Sequence, residues 1–195
     1  MPLNHRHKIC FIHNPKVAGT SIQVALGMVD QEPERILCGF DEREGFSTAY
    51  TQHYKACEIR QVKPREFAEY FTFAVVRNPY ERAVSAWQWH KKVQMPEISF
   101  KGFLTAEHEG NHNHPQIEFI EEDGRIIVDK VYRYEKLDAV WKDLRCLFGI
   151  TSKPHLNKTD RKHYSAYYDA ETRPLVEAMF RRDIMLFNYH FEDER

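Results

Sequence analysis

The order of apolar and polar positions near the N-terminus predicts a strand, a loop and a helix between residues 8 and 29. A short apolar run at residues 10–12 consists of residue types common in strands, and Asn14-Pro15 ends it. Apolar residues then recur at i, i+3, i+4 and i+7, namely Ile22, Ala25, Leu26 and Val29. This spacing predicts a helix with one apolar face on a sheet, and Thr20 or Ser21 is expected to cap its N-terminus.

A second strand followed by a helix is predicted between residues 71 and 88. Residues 71–76 form an unbroken apolar or β-prone run, which is typical of a strand buried on both faces. Arg77-Asn78-Pro79 then turns the chain into a helix with proline in its first turn. The apolar stripe of that helix is Tyr80, Ala83, Val84 and Trp87. Arg77 is therefore expected at the carboxyl end of the strand, and Ser85 on a helix face away from the core.

Further patterns predict the remaining elements, and the clearest helix among them is the one over residues 135–148. They are, in chain order, a helix over residues 54–62, a strand over residues 126–132, a helix over residues 135–148 closed by Gly149, and a last helix from Asp169 or Thr172. His53 comes directly before the first of these helices. Residues 31–51 are polar and interrupted by proline and glycine, so we expect an irregular connection there, with a short strand at residues 36–40.

Strands that alternate with helices predict an α/β protein. The expected fold is a P-loop-like, doubly wound central parallel sheet with right-handed crossovers and helices on both faces. With 195 residues, of which 42% are hydrophobic, the chain can build one good core, so we predict a single domain over residues 1–195. Ligands gather at the carboxyl ends of the strands in such sheets, so Arg77 and the loop after the first strand are expected to share one crevice.

Charge and cysteine content exclude several classes of protein. The 28 basic and 29 acidic residues nearly balance, which argues against a general electrostatic grip on nucleic acid or membrane. The four cysteines show no CxxC pair, so we expect reduced thiols and a cytoplasmic location. No apolar run approaches the ~20 residues that a membrane helix needs, and residues 9–12 are too short for the core of a signal peptide.

The loop after the first strand carries the residues of an anion site. Lys16, Gly19, Thr20 and Ser21 stand at the start of a predicted helix, where backbone N–H groups and the helix dipole attract an anion. The order differs from the nucleotide-binding pattern GxxxxGK[ST], because this lysine comes three residues before the glycine. A phosphate site is predicted; the alternative is an ordinary turn with a solvated lysine.

Two motifs in this order resemble those of sulfotransferases that use 3′-phosphoadenosine 5′-phosphosulfate (PAPS). P-K-x-x-G-T-S at residues 15–21 resembles their phosphosulfate loop, and R-N-P-x-x-R-x-x-S at residues 77–85 resembles their 3′-phosphate motif. The resemblance implies that Lys16 acts at the transferred group and that residues 19–21 hold the 5′-phosphate. It also implies that Arg77 and Ser85 bind the 3′-phosphate. Arginine suits that role because its planar fork holds phosphate through two parallel bonds.

Further segments resemble the carbohydrate-type branch of these enzymes, so that the likeness covers nearly the whole chain. A histidine before a short helix acts as general base in similar sulfotransferases, which implies that role for His53; a surface or capping histidine is the alternative. The segment HPQIEFI implies that His114 and Gln116 face the acceptor. The remaining residues implied at the donor are Tyr134 near the adenine, or in the core, and Asn157, Lys158 and Arg161 in a loop over the 3′-phosphate.

The resemblance implies metal-independent, in-line transfer of a sulfuryl group from PAPS to a hydroxyl, or an amine, of an acceptor such as a carbohydrate. Two other functions stay open. Residues 126–129, Ile-Ile-Val-Asp, could form the magnesium strand of a kinase, although the matching lysine-serine loop is missing. A noncatalytic nucleotide-binding module is the third reading. Zinc at His108, His112 and His114 with Glu107 and Glu109 is disfavoured, because the spacing lacks the HExxH order. The acceptor's identity and the oligomeric state do not follow from the sequence.

Overall fold

The computed structural model describes residues 3–28, 51–106, 111–154 and 161–194. The strands are β1 (Leu3–Asn4), β2 (Ile9–Ile12), β3 (Phe71–Val76), β4 (Glu121–Glu122), β5 (Arg125–Ile126) and β6 (Lys130–Arg133). The α-helices are α1 (Gly19–Ala25), α2 (Ala56–Val62), α3 (Pro64–Glu69), α4 (Pro79–Val93), α5 (Phe100–Thr105), α6 (Leu137–Phe148), α7 (Thr172–Met179) and α8 (Arg181–Leu186). Short 3₁₀ helices lie at Thr51–His53, Asn111–Asn113, Gln116–Phe119, Tyr134–Lys136 and Tyr164–Tyr167.

The central sheet is mostly parallel and has the strand order β1-β2-β3-β6. β2, β3 and β6 run parallel, with Ile12 opposite Ala74 and Val76 opposite Arg133, whereas β1 pairs antiparallel with β2. β4 and β5 form a separate antiparallel pair. Because the three parallel strands are neighbours, their carboxyl ends lie side by side, and that edge of the sheet positions the site.

Each face of the sheet has its own hydrophobic core, because successive strand residues point to opposite faces. On one face Phe11 and Phe73 pack with Ile22 of α1 and with residues of α6. On the other face Ile12 packs with Ile59 of α2 and with the 3₁₀ helix Gln116–Phe119. The protein therefore has a mixed α/β architecture with a central, parallel-rich sheet between helices, as the sequence predicted.

The strongest sequence patterns mark these elements accurately. β3 has the predicted bounds, and α4 begins at Pro79 after Asn78, whose side chain accepts a hydrogen bond from the backbone N–H of Tyr80. α6 ends at Gly149, which adopts a φ of 68°, a value that favours glycine. Continuous apolar runs and helix caps are local signals, which is why the sequence alone identifies them.

Three finer predictions are wrong. The N-cap of α1 is Ala18, without a side-chain hydrogen bond, so Thr20 and Ser21 lie inside the first turn. The strand predicted over residues 126–132 is divided into β5 and β6, because Asp129 instead binds the start of β3 through Thr72. The predicted last helix is two helices, α7 and α8, which meet at the buried Phe180.

Some predictions fall outside the described ranges. These are the helix position of Val29, the strand at residues 36–40, and His108 with its two glutamate neighbours. Cys10, Cys57 and Cys146 are free thiols, whereas Cys38 is not described. No helix within the described ranges is both long and apolar enough to cross a membrane.

Candidate active site

Three neighbouring strand ends bring the candidate residues together. β2 is followed by His13 and the loop at residues 14–18, β3 by Arg77, and β6 by Tyr134. The parallel register places these ends at one edge of the sheet. The crevice predicted to contain Lys16 and Arg77 therefore also receives Tyr134.

The loop at residues 14–18 has an unusual backbone conformation. Lys16 (φ 68°) and Ala18 (φ 62°) both lie in the left-handed region, at a cost of about 1–3 kcal/mol each for a residue other than glycine. Left-handed residues in a turn direct successive N–H groups toward one side, which makes a concave site for an anion. The side-chain amide of Asn14 donates to the carbonyl oxygen of Val75 at 2.8 Å and holds this loop on β3.

Gly19 is required by the packing beneath the loop. A Cβ atom at this position would lie 1.7 Å from Nε2 of His13, whose ring is buried. His13 also stacks on Phe11, with ring centroids 5.5 Å apart, so it cannot move without disturbing the core. The glycine of the sequence motif is thus explained by a histidine that the motif does not contain.

We expect Gly19→Ala to lower the melting temperature, because the added methyl group must displace the His13 ring; overpacking of this kind typically costs about 1–3 kcal/mol. Thermal unfolding of the single variants and of His13→Ala/Gly19→Ala measures the coupling. The double variant should be more stable than the sum of the two single losses predicts, since His13→Ala vacates the space. Strictly additive losses would contradict this packing argument.

The guanidinium of Arg77 is buried and held in one orientation. Its side chain is 8% exposed, Nη1 donates to the carbonyl oxygen of Lys16 at 2.9 Å, and Nη2 donates to Glu81 at 2.7 Å. Its carbon Cζ lies 3.9 Å from the centroid of the Tyr134 ring. Nε is buried and has no hydrogen-bond partner within the described residues. Arg77 therefore links the loop to α4 and keeps one donor unused.

Arg161 joins the same cluster through Glu81. Its Nη2 donates at 3.1 Å to the glutamate oxygen that Arg77 binds, while its Nη1 is buried without a partner in the described part of the chain. Burial lowers the pKa of Arg161 from its ordinary value, and the positive charge of Arg77 acts in the same direction. The negative charge of Glu81 has the opposite effect. Two largely buried guanidiniums share one carboxylate, and each has an N–H group without a partner among the described residues. An additional anion would satisfy both donors.

Lys16 lies close to these arginines and is partly buried. Burial lowers the pKa of Lys16 to about 8, and the positive charges of Arg77 and Arg161 act in the same direction. Its Nζ atom lies 5.4 Å from the centroid of the Trp89 ring. The site therefore carries a concentrated positive charge that a bound polyanion would stabilise.

His53 stands on the other side of the loop. Its Nδ1 atom lies 3.0 Å from the carbonyl oxygen of His13; a carbonyl oxygen only accepts, so Nδ1 carries the hydrogen and Nε2 keeps its lone pair. The two imidazole rings have centroids 4.6 Å apart. Burial lowers the pKa of His53, so the ring is neutral at pH 7. This tautomer and charge state are those of a base that acts through Nε2.

The residues predicted for the acceptor have different surroundings. Gln116 is fully buried: its side chain accepts from the Arg77 backbone N–H at 2.8 Å and donates to the Arg77 carbonyl oxygen at 2.8 Å. It thus fixes the strand end that carries Arg77. His114 has a half-exposed side chain, and its Nδ1 lies 3.2 Å from Glu118. The proline-glutamine segment therefore holds the end of β3 in place through Gln116, while the side chain of His114 stays accessible to solvent.

One face of α4 contributes residues that the motif comparison did not identify. Glu81, Ser85 and Trp89 follow one another at i+4 spacing, so they lie on one side of the helix. Ser85 is partly buried on this face. The sequence shows these three residues as a second stripe on the helix, beside the apolar stripe that begins at Tyr80. Of this second stripe, only Ser85 belongs to the motif. Asn157 and Lys158 lie outside the described residues.

The kinase interpretation loses its structural basis. Asp129 precedes β6 and accepts hydrogen bonds from the backbone N–H and the hydroxyl of Thr72, at 2.7 and 2.8 Å. Thr72 is at the amino end of β3, whereas Lys16 lies at the carboxyl edge of the sheet. The carboxylate is therefore at the wrong end to hold a magnesium ion beside the loop. Within the described ranges no group of three or more His, Cys, Asp or Glu side chains could hold a metal ion.

Comparison with protein-family models matches residues 2–190 to the model described as "Sulfotransferase family". Comparisons with curated proteins and with solved structures found no match. The family match spans both strand-to-helix junctions, at residues 9–25 and 71–93, from which the site is built.

Proposed function

Because this chain belongs to the sulfotransferase family, we propose that it transfers a sulfuryl group from PAPS to a hydroxyl group, or an amine, of a carbohydrate or other small biological alcohol. The observation that carries the proposal is the buried cationic cluster at the carboxyl edge of the sheet. Arg77 and Arg161 share Glu81 and each keeps a buried N–H group without a partner in the described part of the chain. PAPS carries a phosphate at the 3′ position of its ribose and a phosphosulfate at the 5′ position. The 3′-phosphate can bind this cluster, and the 5′ group can bind the loop.

The proposed donor site divides between the two motifs. Backbone N–H groups of residues 19–21 hold the 5′-phosphate, in a loop whose left-handed residues suit an anion. Arg77, Ser85 and Arg161 hold the 3′-phosphate, and we keep the prediction that Asn157 and Lys158 help to enclose it. Tyr134 borders the adenine in this proposal, which its contact with the Arg77 guanidinium supports. A site of this kind converts remote binding energy into alignment of the reacting atoms.

The proposed chemistry needs one proton acceptor and one source of positive charge. The acceptor oxygen attacks sulfur, His53 Nε2 takes its proton, and the bond between sulfur and the bridging oxygen breaks with its electron pair on that oxygen. Lys16 neutralises the charge that grows there. Lysine and the loop dipoles supply what magnesium supplies to kinases, so we propose transfer without a metal.

We propose that His53 and His114 meet the acceptor. The contact of Gln116 with the acceptor stays a prediction beside its observed bonds to Arg77. Sulfur transfer from labelled PAPS to a panel of sugars, lipids, peptides and small alcohols would identify the acceptor. A noncatalytic module would bind the donor and show no transfer in that panel.

Arg77→Ala tests the donor assignment through binding. We expect 3′,5′-adenosine bisphosphate, without metal, to raise the melting temperature of the wild type, because a ligand that binds only the native state stabilises it. In Arg77→Ala this ligand should bind about 2–5 kcal/mol more weakly, as expected when a buried charged pair loses a partner, while 5′-AMP binds nearly as before. Calorimetric titration of both ligands measures the difference.

Arg65→Ala is the matched control, since Arg65 makes an exposed ion pair with Glu69 far from the cluster. Equal losses for the bisphosphate and for 5′-AMP in Arg77→Ala would contradict the 3′-phosphate assignment. Stabilisation by ATP with magnesium, but not by the bisphosphate, would instead favour a kinase.

A further inference from the structure

A second pair of histidines stands beside the proposed base. His112 Nδ1 lies 3.0 Å from His90 Nε2, and the ring of His112 lies 6.4 Å from that of His53, centroid to centroid. The same ring contacts Trp89 at 4.7 Å and 89°, and Trp89 in turn lies below the Lys16 ammonium. A continuous row of side chains therefore connects the proposed base to the lysine of the loop.

His112 is held in place although it belongs to a short 3₁₀ helix, Asn111–Asn113. Arg82, which is fully buried in α4, donates to the His112 carbonyl oxygen at 3.2 Å. His90 is 3% exposed and lies on the same helix, so its ring offers a rigid partner to the His112 ring. These contacts fix the position of His112 although it lies outside the α-helices and strands.

In the hydrogen bond between His90 and His112, one ring nitrogen must donate and the other must accept. His112 is neutral, because burial lowers its pKa to about 2, with the Lys16 charge as the next cause. Among the described residues, the titratable or charged groups that act on it are Lys16, His53, His90 and Arg82. A neutral imidazole whose Nδ1 has a fixed role as donor or acceptor has the opposite role fixed at Nε2. Nε2 of His112 has no hydrogen bond to another described residue.

We propose that His90 is a positioning residue that locks His112 in one neutral tautomer, so that His112 Nε2 binds a hydroxyl group of the acceptor next to the hydroxyl that His53 deprotonates. The chemistry of this inference rests on the proposed function. Two imidazoles side by side, each with one available nitrogen, fit a substrate with neighbouring hydroxyl groups. This pair of contacts therefore favours an acceptor with neighbouring hydroxyl groups over a monohydric alcohol.

Nitrogen NMR of histidine-labelled protein tests the positioning role without any substrate. In the wild type we expect His112 to show one neutral tautomer between pH 6 and 8. His90→Ala should give signals averaged between the two tautomers, whereas His90→Gln, which can still hydrogen-bond His112 Nδ1, should restore one tautomer. His190→Ala, which removes an exposed ring outside the proposed site, is the control. An unchanged His112 spectrum in a folded His90→Ala variant would overturn the proposal.

The acceptor contact is tested in the complex with 3′,5′-adenosine bisphosphate. Adding a mixture of methyl hexosides should shift the His112 Nε2 signal of the wild type and of His90→Gln, and leave His90→Ala at least tenfold less responsive. Cyclohexanol at the same concentration should shift it much less. An equal response to cyclohexanol, or no response to the sugars, would overturn the acceptor class. Failure of the donor proposal is seen separately, as the absence of stabilisation by the bisphosphate.

Discussion

Replacing His53 by alanine is expected to lower turnover by roughly 10²–10⁴-fold, the range typical of a lost general base. The reason is the tautomer: Nδ1 donates a hydrogen bond to the His13 carbonyl oxygen, so Nε2 keeps its lone pair and can accept the proton in the proposed reaction. Affinity for 3′,5′-adenosine bisphosphate should stay within about threefold, because that ligand has no reacting group for the base to contact. Initial rates with labelled PAPS and calorimetric titration measure the two effects.

The pH dependence of the turnover rate tests the role of His53 independently. Burial lowers the pKa of His53 below its ordinary value of 6.5, so the wild-type rate should fall only when the pH drops below that ordinary value. His53→Asn keeps a donor for the His13 carbonyl oxygen but has no basic nitrogen, and it should be as slow as the alanine variant. His190→Ala, an exposed histidine, is the control. Near-normal turnover in His53→Ala with a large loss in His114→Ala would move the base to the proline-glutamine segment.

Replacing Lys16 by methionine is expected to have opposite effects on catalysis and on stability. Turnover should fall by about 10²–10³-fold, the loss typical when one electrostatic stabiliser of the transition state is removed. The ligand-free protein should become more stable at pH 7, because its fold holds a lysine whose pKa is about 8 instead of 10.5. That difference corresponds to at most about 3 kcal/mol. Initial rates with labelled PAPS measure the loss of turnover, and thermal unfolding of the ligand-free protein measures the gain in stability.

The gain in stability expected for Lys16→Met depends on pH in a defined way. Below pH 8 the lysine is charged in both folded and unfolded chains, so the full cost of burying its charge opposes folding. Between pH 8 and 10.5 the folded protein loses the proton first, and the advantage of methionine should shrink. Lys92→Met, an exposed lysine on α4, is the control. A Lys16→Met variant that is less stable than the wild type at pH 7 would contradict the buried-charge explanation.

The sequence by itself determined the two strand-to-helix junctions and the family to which the chain belongs. Residues 71–76 and the turn at Arg77 could be identified because a continuous apolar run, a proline at the first helical position and a helical stripe are local signals. The order of Lys16 and Gly19 in the first loop could likewise be read directly, and it led to the sulfotransferase family that the family model supports. Element boundaries that depend on distant residues, such as the division between β5 and β6, could not be identified from the sequence.

Only the tertiary structure decided how the side chains of the site meet. Gly19 is required because His13 occupies the space of its missing side chain, and Glu81 matters because it is shared by guanidiniums that are 84 residues apart in the chain, at 77 and 161. His112 lies in a short 3₁₀ helix, yet buried groups of α4 hold it. Hydrogen bonds between distant residues leave no periodic pattern in the sequence, because their geometry arises only when helices and strands pack together.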